Sequence, residues 1–453
     1  MEILLLIVLM LTEIGFCAFE FTNKDVKSEW SKRRLYVCGI EILTYLIMIF
    51  FPKIDFGFRF KCLFMVLVIR ILISAANWLI NKKNEHIKKR IAMVFGAMFG
   101  IFIIAFSMIP AFVFKDYNGR PLTGEHEVAQ SSAILIDSSR IEEFESDGSF
   151  REIPIHFYYP ADLADISQHS LPLVIFSHGA FGYYQSNTST YMQLASHGYV
   201  VVSLDHPYHS FYTKDSSGKI ITVDPKFIQS ALYIGNSDLP DNEIYPETSR
   251  WMKLRTDDVN FVIDTIKTAV NTSPDGSWFY DKNNADEIGS ILNTIDIEKI
   301  GLMGHSLGGA TAVTVARRDD VDAAIDLDGT MLGEEIDMKD GKVVYNDEPY
   351  LTPILNMQNE EHHLESIEAK KADYPYVNNV IMDNAKQGYT TYFEGSGHMN
   401  FTDLPLFSPV LAKNLGTGSV DPEACIDKVN EIVVEFFDCF LKENGGFSIS
   451  EKY

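Results

Sequence analysis

Cysteine is scarce in this chain, and positive charge is outnumbered. There are five cysteines in 453 residues, and only Cys425 and Cys439 lie beyond residue 114. Both fall in one helical pattern, where fourteen residues at about 1.5 Å each separate them by roughly 21 Å, too far for a disulfide. The later part of the chain must therefore be stabilised by its core alone. No cysteine–histidine spacing of the structural zinc type occurs, and there is no internal repeat or low-complexity tract. Lys and Arg number 38 against 62 Asp and Glu, a formal net charge of −24, which excludes a uniformly basic nucleic-acid binder. At 46% hydrophobic residues the chain can bury a large core, so wholesale disorder is excluded too.

The charge is unevenly distributed. Residues 1–114 hold 14 basic and 8 acidic side chains, leaving 24 and 54 for residues 115–453, so the first quarter is +6 and the remainder −30. This divides the chain into a helical membrane region, 1–114, and an acidic domain, 115–453. Four mostly apolar stretches follow one another in the first part: Ile3–Phe21, Leu35–Phe51, Cys62–Ile80 and Ile91–Phe114. Each approaches the roughly 20 residues that a bilayer requires. Met1 and Glu2 supply no basic leader and no small-residue cleavage site follows, so the first stretch reads as a retained helix.

Orientation follows from the loops. Segments 22–34 and 81–90 carry five Lys/Arg each, against three in 52–61 and none at the N-terminus, which predicts that the first and third loops are cytoplasmic. The acidic domain then lies outside the cell, at a multi-span cell membrane. Its charge of −30 argues against simple electrostatic adhesion to anionic lipid, so the spans supply proximity instead. Arg70 sits mid-span, where an unpaired charge costs at least about 2.5 kcal/mol, and Glu41 in the preceding span is its expected partner. Gly96 and Gly100 form a small-xxx-small pair that could support self-association.

The acidic domain reads as alternating strands and helices. After an antiparallel pair, Ser132–Ile136 and Ile153–Tyr159, come short apolar runs at Leu173–Phe176, Tyr199–Leu204, Ile300–Met303, Ala323–Leu327, Ile354–Met357 and Thr390–Phe393. Helical patterns at Ser189–His197, Trp251–Ala269, Leu307–Arg317 and Cys425–Lys442 fall among and after them. Such alternation predicts a mostly parallel sheet with helices on both faces. The stretches 208–250, 270–296 and 330–352 break the rhythm and read as insertions near the mouth of a site, where they could form a lid.

The chemistry points to one turn. Gly304-His305-Ser306-Leu307-Gly308 is a G-x-S-x-G pentapeptide directly after an apolar strand and directly before a small-residue helix. Gly304 and Gly308 let strand and helix meet sharply and lift Ser306 to the edge of the sheet. The bland alternative is a serine that only caps the helix. A serine hydroxyl needs a base, and among twelve histidines His398, after the last strand, has the expected place in the chain order serine, acid, histidine. His178 and His305 belong to turns near the nucleophile and read as pocket-shaping. His206 and His209, and the pair His362–His363, lack a complementary ligand set, so no metal site is expected.

For the acid, Asp326 and Asp328 close one strand while Glu360 and Glu361 follow the next. Strand side chains alternate, so Asp326 and Asp328 share a side, and Asp328 lies nearer the catalytic edge. It is preferred, with Asp326 as a hydrogen-bonded structural carboxylate. An oxyanion hole could be built from the backbone N–H groups of Leu307 and Ala180, the latter in the turn Ser177–Gly182, with Phe181 as alternative.

The segments HGAFG at 178–182, SLDHPYHS at 203–210, the helix near Arg255-Thr256-Asp257-Asp258-Val259, GHSLGGA at 304–310, IDLDG at 325–329 and GSGHMNF at 395–401 together resemble the plasma-type platelet-activating factor acetylhydrolases. These are α/β hydrolases also described as lipoprotein-associated phospholipases. The resemblance covers about 150–440. It implies an α/β-hydrolase fold with Ser306 as nucleophile, Asp328 as acid, His398 as base and Ala180 and Leu307 as oxyanion donors. It further implies activity on phospholipids with short or oxidised acyl chains, without calcium or another cofactor. The four-span N-terminus departs from the secreted members. The expected function is a membrane-anchored serine ester hydrolase working through an acyl-enzyme on lipid or small ester substrates. An acyltransferase or peptidase on the same fold, and a lipid-binding sensor with a degenerate site, are the other readings.

Overall fold

Long apolar runs make most of the described residues before Phe114 helical. The computed structural model describes residues 1–23, 26–51, 57–235, 239–272 and 284–453. The chain divides into two compact units, Met1–Asn118 with Leu406–Leu411, and Gly119–Pro405 with Ala412–Tyr453.

The first unit holds α1 (Glu2–Asn23), α2 (Lys27–Phe50), α3 (Phe58–Asn81), α4 (Arg90–Ser107) and the short α5 (Ile109–Val113). Three of these, α1, α3 and α4, are long and apolar enough to cross a membrane. Helix α2 has the length but also carries Arg33, Arg34 and Glu41. The expected stretch Ile91–Phe114 is divided at Met108, where Pro110, lacking an N–H, starts a separate turn. Arg70 donates to Glu41 at 3.0 Å, as the sequence predicts, and also to Glu13 of α1. Glu13 in turn takes a two-pronged contact from Arg34 at 2.6 and 2.7 Å. A Cβ on Gly100 would lie 2.8 Å from an Arg70 nitrogen, so this glycine makes room for the ion cluster. Gly96 faces open space, and the two do not form one outward face.

In the second unit, the strands of the main sheet alternate with helices as the sequence predicts. In chain order come β1 (Val128–Ile141), β2 (Phe150–Pro160), β3 (Leu171–Ser177), α6 (Thr188–Ser196), β4 (Val200–Leu204), the hairpin β5 (Tyr212–Lys214) and β6 (Ile220–Thr222), α7 (Pro225–Gly235) and α8 (Asp241–Thr272). Then follow α9 (Ala285–Thr294), β7 (Ile295–His305), α10 (Leu307–Val315), β8 (Ala323–Leu327), the hairpin β9 (Glu335–Lys339) and β10 (Lys342–Tyr345), β11 (Ile354–Asn359) and α11 (Glu360–Lys371). Helix α12 (Val377–Asn384), β12 (Gly388–Phe393), the short α13 (Leu404–Phe407) and α14 (Pro409–Asn414), and α15 (Pro422–Phe440) complete the chain.

Eight strands form the main sheet in the order β1-β2-β4-β3-β7-β8-β11-β12. The β1–β2 and β2–β4 pairs are antiparallel and the rest parallel. Every residue of β3, β4, β8 and β11 is buried, which is why these segments read as mostly apolar runs, with Ser203, Asp326, Asn356 and Gln358 among the buried polar exceptions. Leu173, Ile175, Val202 and Leu302 belong to the same core cluster as Val259, Val262, Ile263 and Ile266 of α8. Register aligns Ser177 with Gly304 and His305 with Leu327, so the carboxyl ends of the central strands are level and the loops after them share one edge.

All three expected insertions contain structure among the described residues, with 270–296 holding the end of α8, α9 and the start of β7. The stretch 208–250 holds a hairpin, α7 and the start of α8, and 330–352 holds the β9–β10 hairpin. Trp278, Phe279 and Tyr280 of 270–296 lie outside the described residues. All five cysteines are free.

Candidate active site

The turn after β7 forces Ser306 to φ 56° and ψ −126°, a backbone conformation that costs a non-glycine residue about 1–3 kcal/mol. A Cβ on Gly304 would strike the Gly308 carbonyl, and one on Gly308 the Ser177 carbonyl, so glycine is required at both. Ser306 stands at the cap position of α10 without a side-chain capping bond, and the reading of this residue as a mere cap is not realised. Its N–H donates to the Leu327 carbonyl at 2.9 Å, which ties the elbow to the strand bearing the two aspartates.

Asp328, at φ 58° and buried, is surrounded by donors. Asn359 reaches it with its backbone N–H and its side-chain amide, both at 2.7 Å. His398 Nδ1 lies 2.6 Å from Oδ2 and His362 Nδ1 lies 2.9 Å from Oδ1. Burial alone would raise this carboxyl, but the hydrogen bonds from His362 and His398 hold it well below the ordinary range. Asp326 behaves oppositely. Burial, and then the neighbouring Asp328 charge, push it well above the ordinary range. Only the Gly329 N–H meets its Oδ1, at 2.9 Å, so it serves as a buried structural acid. Glu360 accepts the Gly395 N–H at 3.2 Å and braces the loop of His398 without approaching the imidazole as Asp328 does.

A neutral histidine stands next to Ser306 in the chain. Burial, and then the proximity of His398, push His305 down to about 3. Its Nε2 pairs with the His398 carbonyl at 3.0 Å, and the two rings lie 4.5 Å apart. The residue beside Ser306 thus holds the backbone of His398, and serine, histidine and aspartate gather at one edge of the sheet.

Gly179 lies against the elbow, since a Cβ there would be 3.1 Å from Ser306 Cβ. Phe181 N–H is taken by the His209 carbonyl at 3.2 Å, which removes it as an alternative oxyanion donor. Among the described residues, the N–H groups of Ala180 and Leu307 have no acceptor. Arg255, fully buried on α8, donates to the carbonyls of His178 at 2.6 Å and Gly179 at 3.3 Å, fixing this turn from beneath. Next to it Asp258 binds Arg151 at 2.7 Å and His206 at 2.9 Å.

Over the turn lies an apolar cluster in which Phe227 of α7, Trp251 and Met252 of α8, and Leu307 pack with Ala180 and Phe181. The sequence predicts neither Arg255 as a clamp nor His362 on the acid. Their signals were a charge inside an apolar helical pattern and a histidine just past a strand end. The histidine pairs considered as metal ligands are separated. His362 meets Asp328, whereas His363 stacks on Tyr392 at 3.8 Å. His206 is held by Asp258 and by Ser177 at 2.9 Å, and His209 stacks on Phe227 at 3.8 Å. Ligand atoms of Asp328, His362 and His398 lie within 4.8 Å of one another. Two hydrogen bonds account for that closeness, and no metal-binding role is assigned to them.

Residues 157–448 match the family model described as platelet-activating factor acetylhydrolase, isoform II. The chain belongs to this family. Among curated relatives, the platelet-activating factor acetylhydrolases of Bos taurus and Canis lupus familiaris are each 26% identical over 279 and 281 residues. Each alignment covers 60% of this chain and 57% of the relative, so the chain spans only a little over half the length of those proteins. A probable 1-alkyl-2-acetylglycerophosphocholine esterase of Arthroderma benhamiae is 24% identical over 169 residues, 37% of this chain and 34% of that one. Among solved structures, a ferulic acid esterase from Streptomyces cinnamoneus superposes with TM-score 0.51 at 20% identity, covering 72% of this chain and 93% of the other. That likeness shows the fold: an α/β hydrolase, here preceded by a helical region.

Proposed function

We propose that this member of the platelet-activating factor acetylhydrolase family is a membrane-anchored serine ester hydrolase. Ser306 attacks the ester carbonyl, His398 takes its proton and later activates water, and Asp328 orients His398. Leu307 and Ala180 N–H groups stabilise the oxyanion, and an acyl-enzyme at Ser306 links the two half-reactions. The observation that carries this reading is the strained serine of the elbow, whose neighbour His305 meets the His398 carbonyl at 3.0 Å, together with the 2.6 Å bond from His398 to a buried aspartate. Attack requires the Ser306 O–H to donate to His398 Nε2, a contact that often tightens only with substrate bound.

Short-chain or phospholipid-type carboxylic esters are the proposed substrates. Support comes from the names of the curated relatives and from the apolar cluster over the oxyanion turn. The N-terminal helices anchor the chain as a multi-span protein, with Arg33, Arg34 and Arg70 neutralised by glutamates. The loop charges support an extracytoplasmic catalytic unit. The test is hydrolysis of vesicles containing short-acyl phospholipids, with products read by mass spectrometry. Wild type should release the short acid, and Ser306→Ala should lose about 10⁶ in turnover. Release that survives the substitution would refute the assignment. Protease protection in sealed vesicles tests the orientation, and a digested cytoplasmic-side catalytic unit would overturn it.

A further inference from the structure

Asp328 has two imidazole partners where a catalytic triad uses one. His362 is the third residue of α11, and its N–H is fixed by the Asn359 side chain capping that helix at 2.7 Å. Its Nδ1 meets Asp328 Oδ1 at 2.9 Å, while His398 occupies Oδ2 at 2.6 Å. The two rings stand 5.9 Å apart, nearly edge to face. The serine-hydrolase reading leaves His362 without a task.

We propose that His362 is a positioning residue of the triad. Its Nδ1–H holds Asp328 Oδ1 while His398 takes Oδ2, so the acid offers His398 a single oriented oxygen. This deepens the hydrolase reading and rests on it. A charged ring makes the stronger hold. Burial alone would pull His362 down, but the hydrogen bond to Asp328 and its charge hold it up at about 9. The groups that bear on it are Asp328 and Asp326 from β8, Glu365 on its own helix, and the imidazoles of His305 and His398. Of the charged groups on the elements packed against α11, Asp383 of α12 is taken by Lys370 and Glu394 beyond β12 by Lys452.

The test uses the full chain in detergent and p-nitrophenyl acetate, from about pH 5 to about pH 10. His362→Ala should lower kcat by roughly 10- to 100-fold with KM within about twofold. His362→Gln, which restores a donor without charge, should recover much of kcat. A kcat that stays in place in His362→Ala, or a loss that His362→Gln does not relieve, overturns the proposal. Imidazole ¹⁵N spectra separate its failure from that of the hydrolase reading, because they need no turnover. His362 should remain protonated above pH 8 in wild type and titrate near the ordinary range of about 6.5 in Asp328→Asn. Titration near 6.5 in the wild type would contradict the inference even if the chain hydrolyses esters. Protonated His362 in a chain without esterase activity would retain the hydrogen-bond geometry and sink the hydrolase reading instead.

Discussion

Replacing Ser306 with glycine should make the catalytic unit more stable while destroying its chemistry. The serine occupies φ 56° and ψ −126°, a strain of about 1–3 kcal/mol for a residue with a Cβ. Glycine adopts this conformation freely but surrenders roughly 0.5–1 kcal/mol of extra chain entropy on folding. The net gain is about 0.5–2 kcal/mol, and in a unit of this size it should raise Tm by roughly 1–3 °C. Ser306→Ala is the control, because it removes the hydroxyl and retains the strained Cβ. Both variants should lose about 10⁶ in turnover, so activity cannot separate them and thermal unfolding can. Ser306→Gly should melt above Ser306→Ala in the same detergent and buffer. If the two melt together, or glycine melts lower, the elbow does not store the strain described, and the account of how the hydroxyl is lifted from the sheet edge fails.

Other perturbations follow from the same contacts. Asp328→Asn replaces an acceptor of four donors and should cut kcat by roughly 10³–10⁴ with little change in KM; a loss below tenfold would remove Asp328 from the triad. Arg255→Met frees the carbonyls of His178 and Gly179 and should slow ester hydrolysis by about 10²–10³ through the loosened Ala180 donor, whereas a variant that melts as wild type and retains full kcat would show the clamp to be idle. His305 is held neutral by burial, down to about 3, so its contribution to stability is complete above about 6.5 and is lost as pH falls towards 3. The advantage of wild type over His305→Gln in chemical denaturation should therefore shrink by about 2 kcal/mol between about pH 7 and pH 5; a constant gap would contradict it. Arg70→Leu strands Glu41, while Glu13 keeps Arg34, and should destabilise the helical unit by about 3–5 kcal/mol, measured by thermal unfolding in detergent; an unchanged midpoint would show the cluster to be dispensable.

Much of the fold was legible because buried parallel strands leave mostly apolar runs. Ala323–Leu327 was placed to the residue, and Tyr199–Leu204 to within one residue of the strand Val200–Leu204. Helix α11 was not legible. Its sequence EEHHLESIEAKK buries no residue, so it shows no apolar stripe. Helix α9 has Ile288, Ile291 and Leu292 buried at helical spacing, but ten residues among Asn, Asp and Gly give too short a signal. The start of α8 was concealed by Pro246, which usually marks a break and here lies inside the helix. At the proposed site, motif, chain order and strand alternation selected Ser306, His398 and Asp328, and of these the structure joins His398 to Asp328 at 2.6 Å. Arg255 and His362 were not, because their partners are backbone carbonyls and a carboxylate that only tertiary structure brings to them. Glu13 joined Arg70 for the same reason, since helix packing selects the partner while sequence spacing offers several.

Site-resolved labelling tests the central claim most directly. The full chain is treated with a fluorophosphonate, digested, and its serine peptides are weighed. The adduct should sit on Ser306, and its rate of formation should fall by roughly 10³ or more when His398 is replaced by alanine. An adduct on a different serine, or labelling of Ser306 at the same rate without His398, would contradict the account.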